Sequence, residues 1–428
     1  MPLAILARFW QPPAIDVKFV VVTYGTEGDT RPLAALCRAL MDAGHETRLF
    51  ADRATLGSAS AAGVPAEPLA GDIKGTFHAN EALSDLVRKG SRFADTARAL
   101  ALIANTHTDA WMRQIIEAGR GCDALIVSGL AVFVGLSAAE CLGVRAIGAG
   151  FIPITPTADF PSPFLRPALV PRCLNRVTHK LVNELLWRAF RKATNATRAA
   201  LCALPPRRHV WKNHPLLYGV SPSLVPWPRD WPGNAYICGQ WTAPVSDWSP
   251  PPALEDFLAA GVAPMYVGFG SMTGFDAQKM LGAVITAVAG RRALFYPGWS
   301  GLDAAVLPAN FCVVGDTPHG WLFPRTSLVV HHGGSGTTHS AARAGVPSVV
   351  VPFAADQFFW AERLRRLGVA GEAVHAGHVS AAALTRGIAF AESSSARSNA
   401  SALGARMAAE DGFDAALAAV EALLSRQP

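Results

Sequence analysis

Paired cysteines are missing from this chain. Its seven, Cys37, Cys122, Cys141, Cys173, Cys202, Cys238 and Cys312, lie at least 19 positions apart, so no Cys-x-x-Cys unit exists for zinc or dithiol chemistry. An odd, scattered set in 428 residues reads as reduced thiols inside a cytoplasmic protein. Long apolar runs are missing too. The longest, Ala124 to Ala139, carries Ser128 and stops at Glu140, short of the roughly 20 residues a span needs. The opening MPLAILARFWQPPAID has no basic start and no small-residue cleavage site, and Arg8 and two prolines interrupt it. Residues 1–16 are therefore expected to be a disordered extension or the result of a misplaced start codon. Charge is sparse, at 16% against 50% hydrophobic residues, which excludes intrinsic disorder. No short period marks a collagen or a coiled coil.

The net charge of +6 is uneven. Between Arg166 and Lys212 there are eleven Lys or Arg and one acid, Glu184, so that segment is +10 and the remainder −4. This pattern excludes a general nucleic-acid binder and leaves one local basic patch.

The expected fold is α/β. Lys18 to Thr23 is a nearly continuous apolar run of the kind a parallel sheet buries on both faces. A tight loop follows, then a helix with Pro32 in its first turn and Leu33, Leu36, Cys37, Leu40 and Met41 on one face, ended by Gly44. Further strands are expected at His45–Ala51, Asp123–Ser128 and Val144–Gly148. From Phe151 to Trp231 the pattern weakens. Six prolines mark an irregular excursion, and a long helix is expected over Cys173–Leu204. Trp227 to Pro252 is rich in Pro, Trp and Ser. The rhythm then restarts, with strands at Pro264–Gly268, Ala293–Tyr296, Phe311–Gly315, Leu328–His331 and Ser348–Val351. Two doubly wound, Rossmann-like domains facing across a cleft follow from this reading: 17–238, a linker 239–252, 253–405, and a last helix in 406–428 that crosses back to the first domain.

The densest chemical signal is VVHHGGSGTTHSAARAGVPSVVVPFAADQ, residues 329–357. A strand runs into His331 and His332, then a glycine loop, then a helix. The N–H groups of Ser335, Gly336 and Thr337 form an anion site suited to a diphosphate, and His332 can donate to it. Asp356 and Gln357 follow the next strand at the same sheet edge, a pairing suited to sugar hydroxyls. No Walker lysine is present, and Gly25-x-x-Gly28 does not match the dinucleotide fingerprint, so a P-loop ATPase is excluded and NAD is disfavoured.

Six ordered motifs carry a resemblance: GTEGDTRP (25–32), VGFGSM (267–272), GWSGL (298–302), PHGWLFP (318–324), HHGGSGTTHSAARAGVP (331–347) and VVPFAADQFFWAERLRRLGV (350–369). With them the chain resembles the sterol glucosyltransferase and glycopeptide-antibiotic glycosyltransferase branch of the nucleotide-sugar glycosyltransferases, which have the GT-B fold. The resemblance implies that Ser271 approaches the donor diphosphate and that Thr317 and His319 frame the uracil and ribose. His332, Ser335, Gly336 and Thr337 would hold the diphosphate, and Asp356 and Gln357 the hexose, a pairing that suggests glucose from UDP-glucose. Thr26, Glu27 and Asp29 would face the donor from the first domain. Many relatives carry Arg where Glu27 stands, and a carboxylate facing a diphosphate is repulsive. Trp299 is either a wall of the nucleotide site or a structural tryptophan.

Asp29 is the expected base for the acceptor hydroxyl, with a helix N-cap as its structural alternative. The reaction is expected to be an inverting displacement without metal, since no Asp-x-Asp motif occurs. The UDP-sugar is a co-substrate, and no cofactor is expected. The acceptor is a hydrophobic alcohol such as a sterol, triterpenoid, polyketide, flavonoid or lipid. A dTDP-deoxysugar donor, a UDP-sugar epimerase and a non-catalytic sugar-nucleotide or lipid binder are the competing readings. The basic segment 166–212 is a candidate for peripheral contact with the inner membrane surface. Against it stands a soluble helix that packs Leu174, Val177, Leu181, Leu185 and Phe190 inward.

Overall fold

The computed structural model describes residues 16–73, 75, 93–242, 248–270, 272, 275–298 and 307–425. Two parallel sheets organise them. The first has seven strands: β1 (Lys18–Val22), β2 (Glu46–Ala51), β3 (Ala66–Pro68), β4 (Ala124–Val127), β5 (Arg145–Gly150), β6 (Leu216–Tyr218) and β7 (Ala235–Ile237), in the order β3-β2-β1-β4-β5-β6-β7. The second has five: β8 (Met265–Gly268), β9 (Ala293–Tyr296), β10 (Phe311–Val313), β11 (Leu328–His331) and β12 (Ser348–Val350), in the order β10-β9-β8-β11-β12. The apolar runs of β1, β4, β8 and β11 form because both faces of each central strand are covered, as burial along β4, β8 and β11 shows.

Strand order reverses between β1 and β4 in one sheet and between β8 and β11 in the other. Ligands of open parallel sheets bind beyond the carboxyl ends of the strands at such a reversal. The loops there are Thr23–Thr26 after β1 and His332–Gly334 after β11.

The two units share an apolar core. Phe160, Tyr218, Leu224 and Trp231 pack in one cluster with Phe359 and Trp360 of the second unit. The last helix, Gly412–Ser425, places Ala416, Ala419 and Val420 among the core residues of the first sheet, and Trp241 Nε1 donates to Gly412 O at 3.0 Å. Among the described residues, no helix is long and apolar enough to cross a membrane.

The long helix expected over Cys173–Leu204 is present. It spans Asn175–Cys202, and a further helix, Phe93–Ala118, packs against it. The inward face of Asn175–Cys202 differs from the one its periodicity suggests. Asn175, His179, Val182, Trp187, Phe190 and Thr194 are buried, whereas Leu174, Val177, Leu181 and Leu185 are exposed. One cation of the basic run also turns inward, and a half-buried second joins it. Arg198 is 3% exposed and pairs with Glu140 at 2.7 Å, and Arg207 reaches the same carboxylate at 2.9 Å.

Candidate active site

A cleft of about 2460 Å³ lies between the units. One wall is the loop Tyr24–Gly28 with Asp29 and Arg31; the opposite wall is built from His319, His332, Gly334–Thr337 and Ala354–Gln357. The remainder, from 129–240, is largely apolar and includes Phe133, Leu136, Ile154, Phe164, Phe190 and Trp211.

Thr26 is the N-cap of the helix Glu27–Asp42, and its Oγ1 accepts from Gly28 N. Asp29 is not the N-cap. It is the third residue of the helix and closes a capping box, its Oδ2 accepting the Thr26 N–H at 2.9 Å. A Cβ on residue 25 would overlap this carboxylate, so only glycine fits there. Burial raises the Asp29 carboxyl to about 6, against the lowering effect of the Thr26 hydrogen bonds. A carboxylate poised there can hold or release a proton near neutrality. Glu27 is turned to other work. It accepts from Ser58 Oγ at 2.5 Å and pairs with Arg31 at 3.4 Å, so its charge is answered within the first unit.

On the other wall, the nine-residue helix Ser335–Arg343 begins at Gly334 with no side-chain cap. Its first N–H groups have no intrahelical acceptor, and its dipole adds positive potential toward the cleft. Gly336 and Thr337 lie on this rim. His332 is seated between Gly270 and Gly334. A Cβ on Gly334 would overlap its Nε2, and one on Gly270 would come to 3.0 Å of Cε1. Its Nδ1 is buried without a hydrogen-bond partner among the described residues. Burial lowers His332 to about 4, so the ring is neutral at pH 7. His319 is lowered to about 3, first by burial, then by Arg31 and His332, and it stacks on Phe323 at 4.2 Å.

Ser335 does not offer its hydroxyl to the cleft. Oγ donates to Phe151 O, across the junction, at 2.8 Å. Beside it, His339 Nε2 accepts from Ser221 N at 3.1 Å while Nδ1 donates to Ser335 O at 2.7 Å. The glycine loop is thus tied to the first unit. Ser335→Ala is accordingly expected to cost about 1 kcal/mol of stability, seen as a lower thermal midpoint, with UDP affinity nearly unchanged by calorimetry.

Gln357 is likewise committed. Its Oε1 accepts from Phe353 N at 2.7 Å and Ala354 N at 3.2 Å, and its Nε2 points at Met272 Sδ. It shapes a loop that carries Ala355 at φ +54, a conformation non-glycine residues rarely hold. Asp356 lines the cleft with Oδ2 accepting from Trp360 Nε1 at 2.8 Å. Burial raises it to about 6, and Asp29 across the cleft adds to the rise. Thr317 lines the cleft while its Oγ1 donates to Gly315 O at 3.2 Å. Ser271 and Trp299 lie outside the described residues. Among the described residues, no group of three or more His, Cys, Asp or Glu could hold a metal ion.

Residues 293–421 match the family described as erythromycin biosynthesis protein CIII-like, C-terminal domain. The chain is 34% identical to the O-mycaminosyltylonolide 6-deoxyallosyltransferase of Streptomyces fradiae over 416 residues, 95% of this chain and 97% of that one. It belongs to the glycosyltransferases. It is also 30% identical to a sterol 3-beta-glucosyltransferase of Neurospora crassa over 95% of this chain, but spans only 27% of that longer protein. The fold is that of solved GT-B enzymes. SnogD from Streptomyces nogalater aligns at TM-score 0.61 and 21% identity over 95% of this chain and 99% of that one. The calicheamicin glycosyltransferase aligns at 0.67 and 19% over 96% and 99%.

In this glycosyltransferase Arg31 is a charged cleft residue to which the sequence reading gave no role. Arg31 lines the cleft and lies close enough to His319 and Tyr296 of the second unit to shift their titration. It is the cation that pairs with Glu27. Its spacing of four residues from Glu27 on one helix was the available signal.

The neutral histidines carry a stability consequence. His319, His331, His332 and His339 are lowered by burial to between about 3 and about 4. Below their ordinary value of 6.5 the unfolded chain takes up protons that the native state refuses, so stability falls with pH. Asp29 and Asp356, raised to about 6, oppose this, because the native state holds their protons where the unfolded state does not. Four groups outweigh two. The thermal midpoint is expected to fall by several degrees between pH 6.5 and 4.5 by scanning calorimetry. A flat profile would contradict the burial of these rings.

Proposed function

We propose that the chain transfers a hexose, glucose from UDP-glucose, to the hydroxyl of a hydrophobic acceptor with inversion and without metal. The observation that carries this is the apposition of Asp29 to Asp356, His332 and the uncapped helix N-terminus across a cleft whose remaining wall is apolar. Asp29 takes the proton from the acceptor hydroxyl as that oxygen bonds to the anomeric carbon. The bond from that carbon to the diphosphate oxygen breaks on the opposite face. The charge left on UDP meets the N–H groups of Ser335, Gly336 and Thr337, with His332 and Arg31 beside them. These groups do the work a divalent cation does elsewhere. Asp356 accepts from the sugar hydroxyls. Phe133, Leu136, Phe164, Phe190 and Trp211 suit a sterol, triterpenoid, polyketide, flavonoid or lipid alcohol.

The test is release of UDP from UDP-glucose by the purified protein, with and without a panel of such alcohols and with EDTA present. Release that requires an acceptor supports transfer. Formation of an epimer without acceptor would favour the epimerase reading. A panel that turns over only dTDP-deoxyhexoses would move the donor toward the sugar class in the name of the Streptomyces fradiae relative.

A further inference from the structure

The helix Asn175–Cys202 has a second apolar face, and it points outward. Leu174, just before it, is 46% exposed, and Val177, Leu181 and Leu185 are 56%, 56% and 40% exposed. Steps of three, four and four residues put these four on one stripe. Arg188 and Lys192 prolong the stripe, and both are exposed. The buried face, with His179, Val182, Trp187 and Phe190, lies on the other side of the helix. Packing against the first unit therefore does not account for the stripe. An aliphatic row of this kind on a soluble surface marks an interaction site.

The surrounding charge selects the partner. Arg172, Arg176, Lys180, Arg188, Arg191 and Lys192 are all exposed around the stripe. The acid in this stretch, Glu184, is already engaged by His209 at 2.9 Å. Apolar side chains ringed by cations match an anionic lipid surface, whose headgroups answer the charge while its acyl region takes the leucines. The position of the face fits the same partner. Leu165, Leu169, Arg176 and Lys180 line the cleft mouth, and Leu169 is 75% exposed. A bilayer on this face would lie against the opening through which an apolar molecule enters.

We infer that the stripe Leu174, Val177, Leu181 and Leu185, with its cationic border, docks the protein on anionic lipid bilayers. This does not depend on the reading of donor or acceptor, since binding is measured without either. The probe is sedimentation of the full chain with vesicles of phosphatidylcholine and phosphatidylglycerol, and with phosphatidylcholine alone. Wild-type protein is expected to partition onto the anionic vesicles at low salt and to leave them at high salt. Each basic residue near such a surface is worth about fivefold in partitioning. Arg172→Glu, Arg188→Glu, Arg191→Glu and Lys192→Glu together are expected to lower it by more than about a hundredfold. Leu174→Ser, Val177→Ser, Leu181→Ser and Leu185→Ser together should lower it by at least about tenfold. None of these residues lines the cleft, so acceptor-dependent UDP release in detergent is expected to survive in both variants. Failure of wild type to bind anionic vesicles, equal binding to both vesicle types, or wild-type binding by both variants overturns the inference. So does a dimer, by light scattering, that the serine variant dissociates while neither protein binds vesicles.

Discussion

Asp29→Asn is expected to lower the rate of sugar transfer by about 10²–10⁴, the span typical of a lost general base, while UDP binds within a few-fold of wild type. The geometry makes asparagine the informative substitution. The carboxylate closes a capping box by accepting the Thr26 N–H, and an asparagine oxygen can accept the same bond. The helix start is therefore kept and only the proton acceptor is removed. Asp29→Ala would also lose the cap, about 1 kcal/mol of stability, and confound the two effects. A second readout separates catalysis from structure. With its carboxyl raised to about 6 by burial, Asp29 is protonated and inactive at pH 5 and ionised at pH 7. Wild-type kcat/KM should climb through about pH 6 and level off above it. The asparagine variant should lose the Asp29 share of that limb and keep the share set by Asp356, whose carboxyl is also raised to about 6. A variant that turns over at the wild-type rate would leave Asp29 as a capping residue alone.

The parts of this site that were legible in the sequence are those built within one segment. His332, the glycine loop and Asp356 sit on consecutive strand–loop–helix units, so their position follows from the strands that precede them. The apolar runs of β1, β8, β9 and β11 marked those strands to within a residue or so. By contrast β3, β6 and β7, three residues each, were not among the expected strands. Parts that depend on the meeting of two units were not legible. Nothing local says that the Ser335 hydroxyl will reach Phe151 O, that His339 will receive the Ser221 N–H, or that Arg31 will stand opposite His319. Periodicity also identifies an apolar face without giving its direction. In the helix Asn175–Cys202 the regular leucines face outward, while a mixed row of His179, Val182, Trp187 and Phe190 fills the core.

His332→Ala and Asp356→Ala are expected to separate the two halves of the donor. His332 stands beside the uncapped start of the helix Ser335–Arg343, held between Gly270 and Gly334, with a buried and unmatched Nδ1. A hydrogen bond to a charged phosphate oxygen is worth about 1.5–3 kcal/mol, so the alanine variant should bind UDP about 10- to 150-fold more weakly by calorimetry. Gly334→Ala should act in the same direction, because a Cβ at this helix N-cap would overlap the His332 imidazole. Asp356 reaches the cleft from the loop after β12, fixed by Trp360 Nε1 and by the Gln357 amide that holds its loop. Its removal should leave UDP affinity within about threefold yet weaken UDP-glucose by about tenfold or more, the worth of one charge-assisted bond to a sugar hydroxyl. The difference between the ligands is the decisive quantity. If Asp356→Ala weakens UDP as much as UDP-glucose, the carboxylate serves the loop and not the hexose. If His332→Ala leaves UDP binding intact, the diphosphate does not lie at the glycine loop.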